Sequence, residues 1–192
     1  ALGGAVQILG LAGEDAQADI LESLLEASHV SSEISRFNAF PTITKLRVIS
    51  RHQQLIRLDF EDGFCGADLS PLYENYVRAL EAYPVVILSD YGKGVFKDPQ
   101  RFIRLARDRG RTVLIDPKRE NFSDYRGASL ITPNLSEFET VVGSCRDEQE
   151  IAEKGSNLIE EADIGALLVT RGEHGMTLLR QGQRPVHMPT HA

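Results

Sequence analysis

Asn134-Leu135-Ser136-Glu137, which follows Ser129-Leu130-Ile131-Thr132-Pro133 directly, has the residues needed to meet an anion. A Pro-Asn turn stops the preceding apolar run and Ser136 starts a helix, so backbone N–H groups face outward, where they attract phosphate. Glu137, one residue into that helix, carries the charge to hold a hydrated Mg²⁺, which takes few carboxylates and several waters. The same segment also reads as an ordinary helix start. In that reading Ser136 and Glu139 form a capping box, Asn134 makes a turn and Glu137 favours the helix dipole.

Three further apolar runs end in polar clusters. Val85-Val86-Ile87-Leu88 runs into Ser89-Asp90-Tyr91-Gly92-Lys93-Gly94, and Thr112-Val113-Leu114-Ile115 into Asp116-Pro117-Lys118. Ala166-Leu167-Leu168-Val169 runs into Thr170-Arg171-Gly172-Glu173-His174-Gly175. The glycines permit close backbone approach, and Lys93 and Lys118 supply compact charges for phosphate oxygens. Singly, such an aspartate closes a turn and such a lysine is a solvated charge. The Thr170 loop either lines a nucleotide's phosphates or is a plain hairpin turn into Met176-Thr177-Leu178-Leu179. It is not a Walker A sequence, and no Gly-x-Ser-x-Gly elbow occurs. His29, His52, His174, His187 and His191 show no metal-ligand spacing.

The elements behind these clusters read as α/β. Short apolar runs without alternation are expected to be strands buried on both faces of a parallel sheet, whose ligands bind outside the carboxyl ends. Residues 4–12 read as a strand. Asp15 caps a helix whose apolar stripe is Ile20, Leu21, Leu24 and Leu25. Residues 43–50 and 55–60 read as an antiparallel hairpin turning over Arg51 to Gln54, with Ile56, Leu58 and Phe60 on one face. Lys45 and Arg47 share a face with Arg57 nearby, which is either a sugar-phosphate clamp or the wet side of a hairpin. Leu72, Tyr76, Val77 and Leu80 mark a further helix. Asp98-Pro99 starts another that ends at Gly110, and Asp147 starts one that buries Ile151, Leu158 and Ile159. Alternating strands and helices imply right-handed βαβ units in one domain spanning residues 1–192.

The bulk numbers bound the partners. A chain of 192 residues with a net charge of −7 is not suited to nucleic acid or an anionic membrane as its main partner. No apolar run approaches the length of a membrane span, and the opening Ala1 to Gly10 lacks the basic flank of a signal peptide. Cys65 and Cys145 are read as free thiols of a reducing compartment, so the expected location is cytoplasmic. The chain has no initiator Met and is expected to be a piece of something longer.

Several of these segments together resemble a known family. Pro41 to Val48 and Gln53 to Glu61 are similar to the kinase half of the bacterial bifunctional heptose 7-phosphate kinase/heptose 1-phosphate adenylyltransferases. So are Leu88 to Gly94, Ile115 to Lys118, Tyr125 to Ala128 and Thr132 to Glu139. Asn-x-x-Glu alone would indicate only the broader ribokinase-like sugar kinases, and the hairpin sequence narrows the match.

The resemblance implies a ribokinase-like fold. It further implies ATP-dependent phosphorylation of D-glycero-D-manno-heptose 7-phosphate at its anomeric hydroxyl, toward ADP-heptose and the lipopolysaccharide core. Expected cofactors are ATP and Mg²⁺, and the expected parent protein is a homodimer. Candidate nucleotide contacts are Lys118, Asn134, Leu135, Ser136, Glu137, Thr170, Gly172 and Gly175, with Glu137 the metal ligand. Candidate substrate contacts are Lys45, Arg47, Arg57, Asp90 and Lys93.

The family's Gly-Ala-Gly-Asp loop, whose Asp deprotonates the acceptor, does not occur in this sequence, nor do its opening strand and lid. The chain by itself is therefore expected to be catalytically silent, the missing base alone being worth about 10²–10⁴-fold. Two alternatives remain: a non-enzymatic remnant that binds nucleotide or mediates assembly, and a ribokinase-like kinase of another sugar.

Overall fold

A computed structural model describes residues 3–51 and 53–190. The chain divides into two compact units, Ala1–Ala79 with Lys93–Val95, and Leu80–Gly92 with Phe96–Ala192.

The first unit begins with strand β1 (Gln7–Gly13), helix α1 (Ala16–Ala27) and strand β2 (Ser31–Phe37). β1 and β2 pair in parallel, Gln7 opposite Ser31 and Gly13 opposite Phe37, so α1 is the crossover of a βαβ unit. Asp15 is the N-cap as expected, its Oδ1 accepting the Ala18 N–H at 3.0 Å. The same carboxylate accepts the Thr42 hydroxyl at 2.6 Å and the Thr42 N–H at 2.8 Å, which ties the helix start to the segment before the hairpin. Those contacts hold the Asp15 carboxyl below its ordinary range, the Thr42 hydroxyl first among them. Only glycine fits at position 13, because a Cβ there would lie 2.4 Å from Asp15 Oδ2 and 2.7 Å from the Phe40 carbonyl oxygen.

Phe64, Ala67 and Leu69 are the buried core of this unit, and the half-buried Phe37 and Phe40, with ring centroids 5.7–6.1 Å from each other and from Phe64, pack against it with Leu11, Ile43 and Tyr73. Strands β3 (Thr44–Ser50) and β4 (Gln53–Phe60) make the hairpin, antiparallel with an irregularity between Val48 and Ile49. Helix α2 (Ser70–Ala82) follows and buries Leu72, Tyr76 and Leu80 as its spacing predicts.

The second unit is a six-stranded sheet in the order β10-β9-β8-β7-β6-β5. It is built from β5 (Val85–Ser89), helix α3 (Pro99–Arg107), β6 (Thr112–Asp116) and β7 (Leu130–Ile131). Helices α4 (Leu135–Val142) and α5 (Glu148–Glu161) come next, then β8 (Ala166–Thr170), β9 (Met176–Arg180) and β10 (Val186–Met188). Neighbours from β5 to β8 are parallel, while β9 and β10 run antiparallel. Helix α3 packs on β6, and α4 and α5 pack on β8. Asp98 caps α3 with Pro99 in its first turn, and Asp147 caps α5.

Three expectations need correcting, and one strand was not read. β5 is an edge strand with Val85 49% and Ile87 70% exposed, so it is not covered on both faces as its composition implied. The stripe of α1 does not face a core: Ile20 is 60% and Leu24 61% exposed, and the buried residue of that helix is Ala18. β2 was not legible. The hairpin leaves both faces open, with Ile49 64%, Leu55 65% and Phe60 58% exposed, and β4 already starts at Gln53. His52 and His191 lie outside the described residues.

Candidate functional site

Because β5 to β8 are parallel, their carboxyl ends share one edge of the sheet. At that edge Asn134 is the N-cap of α4. Its Oδ1 accepts the Glu137 N–H at 2.9 Å, and Glu137 Oε2 accepts the Asn134 N–H at 3.0 Å. The capping box is therefore Asn134 with Glu137, two residues earlier than the expected Ser136 with Glu139. Ser136 sits inside the first turn, and Glu139 instead accepts the Cys145 N–H at 2.8 Å. Leu135 and Ser136 contribute amides of a turn that has no intrahelical acceptors for them.

Glu137 Oε1 is the oxygen the box leaves over, and Lys118 Nζ lies 3.6 Å from it. Asn134 bridges to Thr170 in parallel, and the Thr170 N–H donates to the Pro133 carbonyl at 2.9 Å. Lys118, Asn134, Glu137 and Thr170 thus meet, from the ends of three strands. Thr170 to Gly175 is at once part of this rim and a hairpin connection: a short 3₁₀ turn, Gly172–His174, is closed by the Arg171 N–H on the Gly175 carbonyl at 2.7 Å. Gly175, at φ +79°, admits no side chain, since a Cβ would stand 2.0 Å from the Met188 carbonyl oxygen.

Asp90 has a different environment from a ligand-facing carboxylate. It is 4% exposed, and both of its oxygens take protein donors. Oδ1 accepts the Gly92 N–H at 2.9 Å, and Oδ2 accepts Arg119 Nε at 3.1 Å and the Tyr125 hydroxyl at 3.0 Å. The Tyr125 oxygen in turn accepts the N–H groups of Lys118 and Arg119, each at 3.2 Å. Burial, more than the neighbouring Asp90 charge, pushes the Tyr125 hydroxyl up to about 12. Arg119 also binds Asp124 at 3.1 Å and the Phe96 carbonyl oxygen. Asp90, Tyr125 and Arg119 therefore pin the backbone of Lys118, and neither Tyr125 nor Arg119 was singled out from sequence.

The other four substrate candidates belong to the first unit. Arg47 on β3 stands directly opposite Arg57 on β4, an unfavourable pairing of like charges. Arg57 is relieved by Asp59 at 3.0 Å. Lys45 lies on the same face, with Nζ 2.5 Å from Glu61 Oε1, and Lys93 binds the other oxygen of Glu61. Lys45 first, then Lys93, holds the Glu61 carboxyl down to about 2. Glu61 was missed as a functional candidate, although its place one residue past β4 was on view.

Among the described residues no group of three potential metal ligands occurs, and His187 is engaged with Thr177 at 3.0 Å. A lone Glu137 oxygen fits a Mg²⁺ that keeps its waters and phosphate oxygens, and does not fit a cage made of protein ligands. Cys65 and Cys145 are free thiols. Among the described residues no helix is long and apolar enough to cross a membrane.

The fold is that of the ribokinase-like carbohydrate kinases. The chain belongs to the pfkB family of carbohydrate kinases, whose model matches residues 1–191. Over its full length it is 55% identical to the bifunctional protein HldE of Psychromonas ingrahamii, in line with the resemblance read from the sequence. The chain spans about 40% of the length of the curated relatives it matches. Among solved structures, the ribokinase of Arabidopsis thaliana complexed with ribose and ATP aligns at a TM-score of 0.76 and 16% identity, over 96% of this chain and 61% of that one. The phosphofructokinase-2 of Escherichia coli in complex with fructose-6-phosphate aligns at 0.72 and 15%, over 98% and 63%. These alignments give the ribokinase-like α/β fold.

Proposed function

We propose that this chain is the central part of one ribokinase-like kinase domain. Its parent protein transfers the γ-phosphoryl group of ATP to the anomeric hydroxyl of D-glycero-D-manno-heptose 7-phosphate. The observation that carries this reading is the meeting of Lys118, Asn134, Glu137 and Thr170 at one sheet edge, in a chain 55% identical to a bifunctional protein HldE.

At that edge the first-turn amides of α4 and the Lys118 ammonium receive phosphate oxygens, and the Thr170 to Gly175 loop lines the nucleotide. Glu137 is the residue that would hold Mg²⁺, which supplies charge neutralisation on the transferring phosphoryl group. In the first unit Lys45, Arg47, Arg57 and Lys93 are the contacts for the sugar phosphate. Asp90 serves the same reaction by fixing Lys118.

In the reaction the anomeric oxygen bonds to the γ-phosphorus as the bond to the bridging oxygen of ADP breaks. The hydroxyl proton passes to a base that the family resemblance assigns to a Gly-Ala-Gly-Asp loop, a motif that does not occur in this sequence. The 192-residue chain alone is accordingly proposed to be inactive. The parent protein is proposed to act in the cytoplasm as a homodimer. The wide apolar exposure of the β3–β4 hairpin, with Leu55 at 65% and Ile49 at 64%, supports a covering partner.

The test is ADP release by the parent protein with the heptose phosphate against a panel of other phosphosugars and free sugars. Turnover confined to the heptose phosphate is expected. Equal or better turnover with another sugar would change the substrate, and no turnover with any would remove the kinase reading.

A further inference from the structure

Two lysines on one carboxylate form an arrangement that the candidate contacts alone do not explain. Lys45 stands on β3, Glu61 lies one residue past β4, and Lys93 sits in a loop whose carbonyl oxygen accepts the Phe64 N–H at 2.9 Å. Each oxygen of Glu61 takes one of the two ammonium groups. The Glu61 side chain is 19% exposed, while those of Lys45 and Lys93 are 41% and 33% exposed. The carboxylate is thus the inner member of the trio, and the ammonium groups are the outer ones.

Two free ammonium groups repel each other and sample many rotamers. A shared carboxylate cancels one of the two charges and draws both nitrogens to one place. Lys93 gives one of its three donors to Glu61 and Lys45 faces the other carboxylate oxygen as an ion pair, so donors remain on both for a second anion. The trio keeps a net positive charge, and Arg47 opposite Arg57 adds more on the same hairpin face.

We propose that Glu61 is a positioning residue: it sets the spacing of Lys45 and Lys93 so that the pair receives the dianionic phosphate ester of the sugar, not its hydroxyl groups. This inference rests on the reading of Lys45 and Lys93 as substrate contacts, and it assigns the phosphosugar preference to a residue that itself touches no substrate. Hydroxyls have no charge with which to compete for these lysines, whereas a phosphate meets both at once.

The experiment uses the full-length parent protein and its Glu61→Gln, Glu61→Asp, Lys45→Ala and Lys93→Ala variants. The readouts are KM for the phosphosugar, KM for ATP, competitive inhibition by inorganic phosphate and thermal midpoint. Glu61→Gln is expected to raise the phosphosugar KM about tenfold, the loss of one well-made charged contact. It should weaken phosphate inhibition in the same proportion, leave the ATP KM in place with only a small fall in thermal midpoint from the lost ion pairs, and be partly rescued by Glu61→Asp.

If Glu61→Gln changes nothing while Lys45→Ala and Lys93→Ala raise the phosphosugar KM, the positioning role is overturned and the substrate reading stands. If the lysine variants leave that KM unchanged as well, the substrate reading itself is lost. A joint fall of thermal midpoint and every kinetic constant in Glu61→Gln would make the trio a structural strut and overturn the proposal.

Discussion

Lys118 Nζ lies 3.6 Å from Glu137 Oε1, so the cation after β6 and the anion in the first turn of α4 face each other across neighbouring strand ends. The pair is half in solvent, with side-chain exposures of 58% and 25%, and contributes about 1 kcal/mol or less to stability. The proposed nucleotide role of the pair therefore predicts an effect on ATP binding without one on stability. Lys118→Ala in the parent protein should leave the unfolding midpoint nearly unchanged and raise the ATP KM about tenfold, by removing one charged phosphate contact. Steady-state kinetics with ATP varied at saturating phosphosugar checks this, and an unchanged ATP KM would count against the rim.

The capping box separates folding from catalysis. Asn134→Ala removes the acceptor for the Glu137 N–H and should cost about 1 kcal/mol in urea unfolding. Glu137→Gln retains an oxygen for the Asn134 N–H, so its stability should stay within about 0.5 kcal/mol of wild type. Its Mg²⁺ dependence should nonetheless shift to about tenfold higher concentrations, because the carboxylate charge is gone. Activity titrated against Mg²⁺ distinguishes the two variants.

Tyr125 is the hinge pin of the Lys118 backbone. Tyr125→Phe leaves the Lys118 and Arg119 amides without their acceptor and Asp90 without one donor, at a cost of about 1–3 kcal/mol. The hydroxyl's affinity for its proton is raised on folding, to about 12 from the usual 10. Its contribution is therefore complete below pH 10 and disappears as pH climbs through about 12. Stability of the wild type and Tyr125→Phe measured across the alkaline range should converge there.

Glu61 behaves in the opposite sense. Its carboxyl is held at about 2 in the folded chain against an ordinary 4.5, so its ion pairs contribute fully above pH 4.5 and fade as pH drops through about 2. Acid unfolding curves of the wild type and Glu61→Gln should differ near neutrality and merge at the acid end. Curves separated by a constant amount at every pH would contradict the ion-pair account.

The parallel part of the sheet was legible because unbroken apolar runs such as Val113-Leu114-Ile115 have one common use, a strand within a covered sheet. β2 was not, because Ser31-Ser32-Glu33-Ile34-Ser35-Arg36-Phe37 carries its strand character only through pairing with β1. Asn134-x-x-Glu137 and Ser136-x-x-Glu139 offer two registers for one box. Tertiary contact decides: the Pro133 carbonyl accepts the Thr170 N–H and Asn134 bridges to Thr170, so the chain is extended through Asn134 and helical after it.

The rim residues were readable from strand-end position. Arg119, Tyr125 and Glu61 were not singled out, because partners 29, 35 and 32 residues away in sequence give them their roles. Asp90 was readable as important, yet its burial, which gives it an anchoring place, leaves no trace in local spacing.

The most direct test of the rim is ADP release by the full-length parent protein carrying Lys118→Ala and Glu137→Gln together, at saturating heptose 7-phosphate. Loss of at least a hundredfold in kcat/KM for ATP, with the phosphosugar KM unchanged, is the result expected from two charged contacts at about tenfold each. Turnover at the wild-type rate in that double variant would contradict the assignment of this sheet edge to the nucleotide.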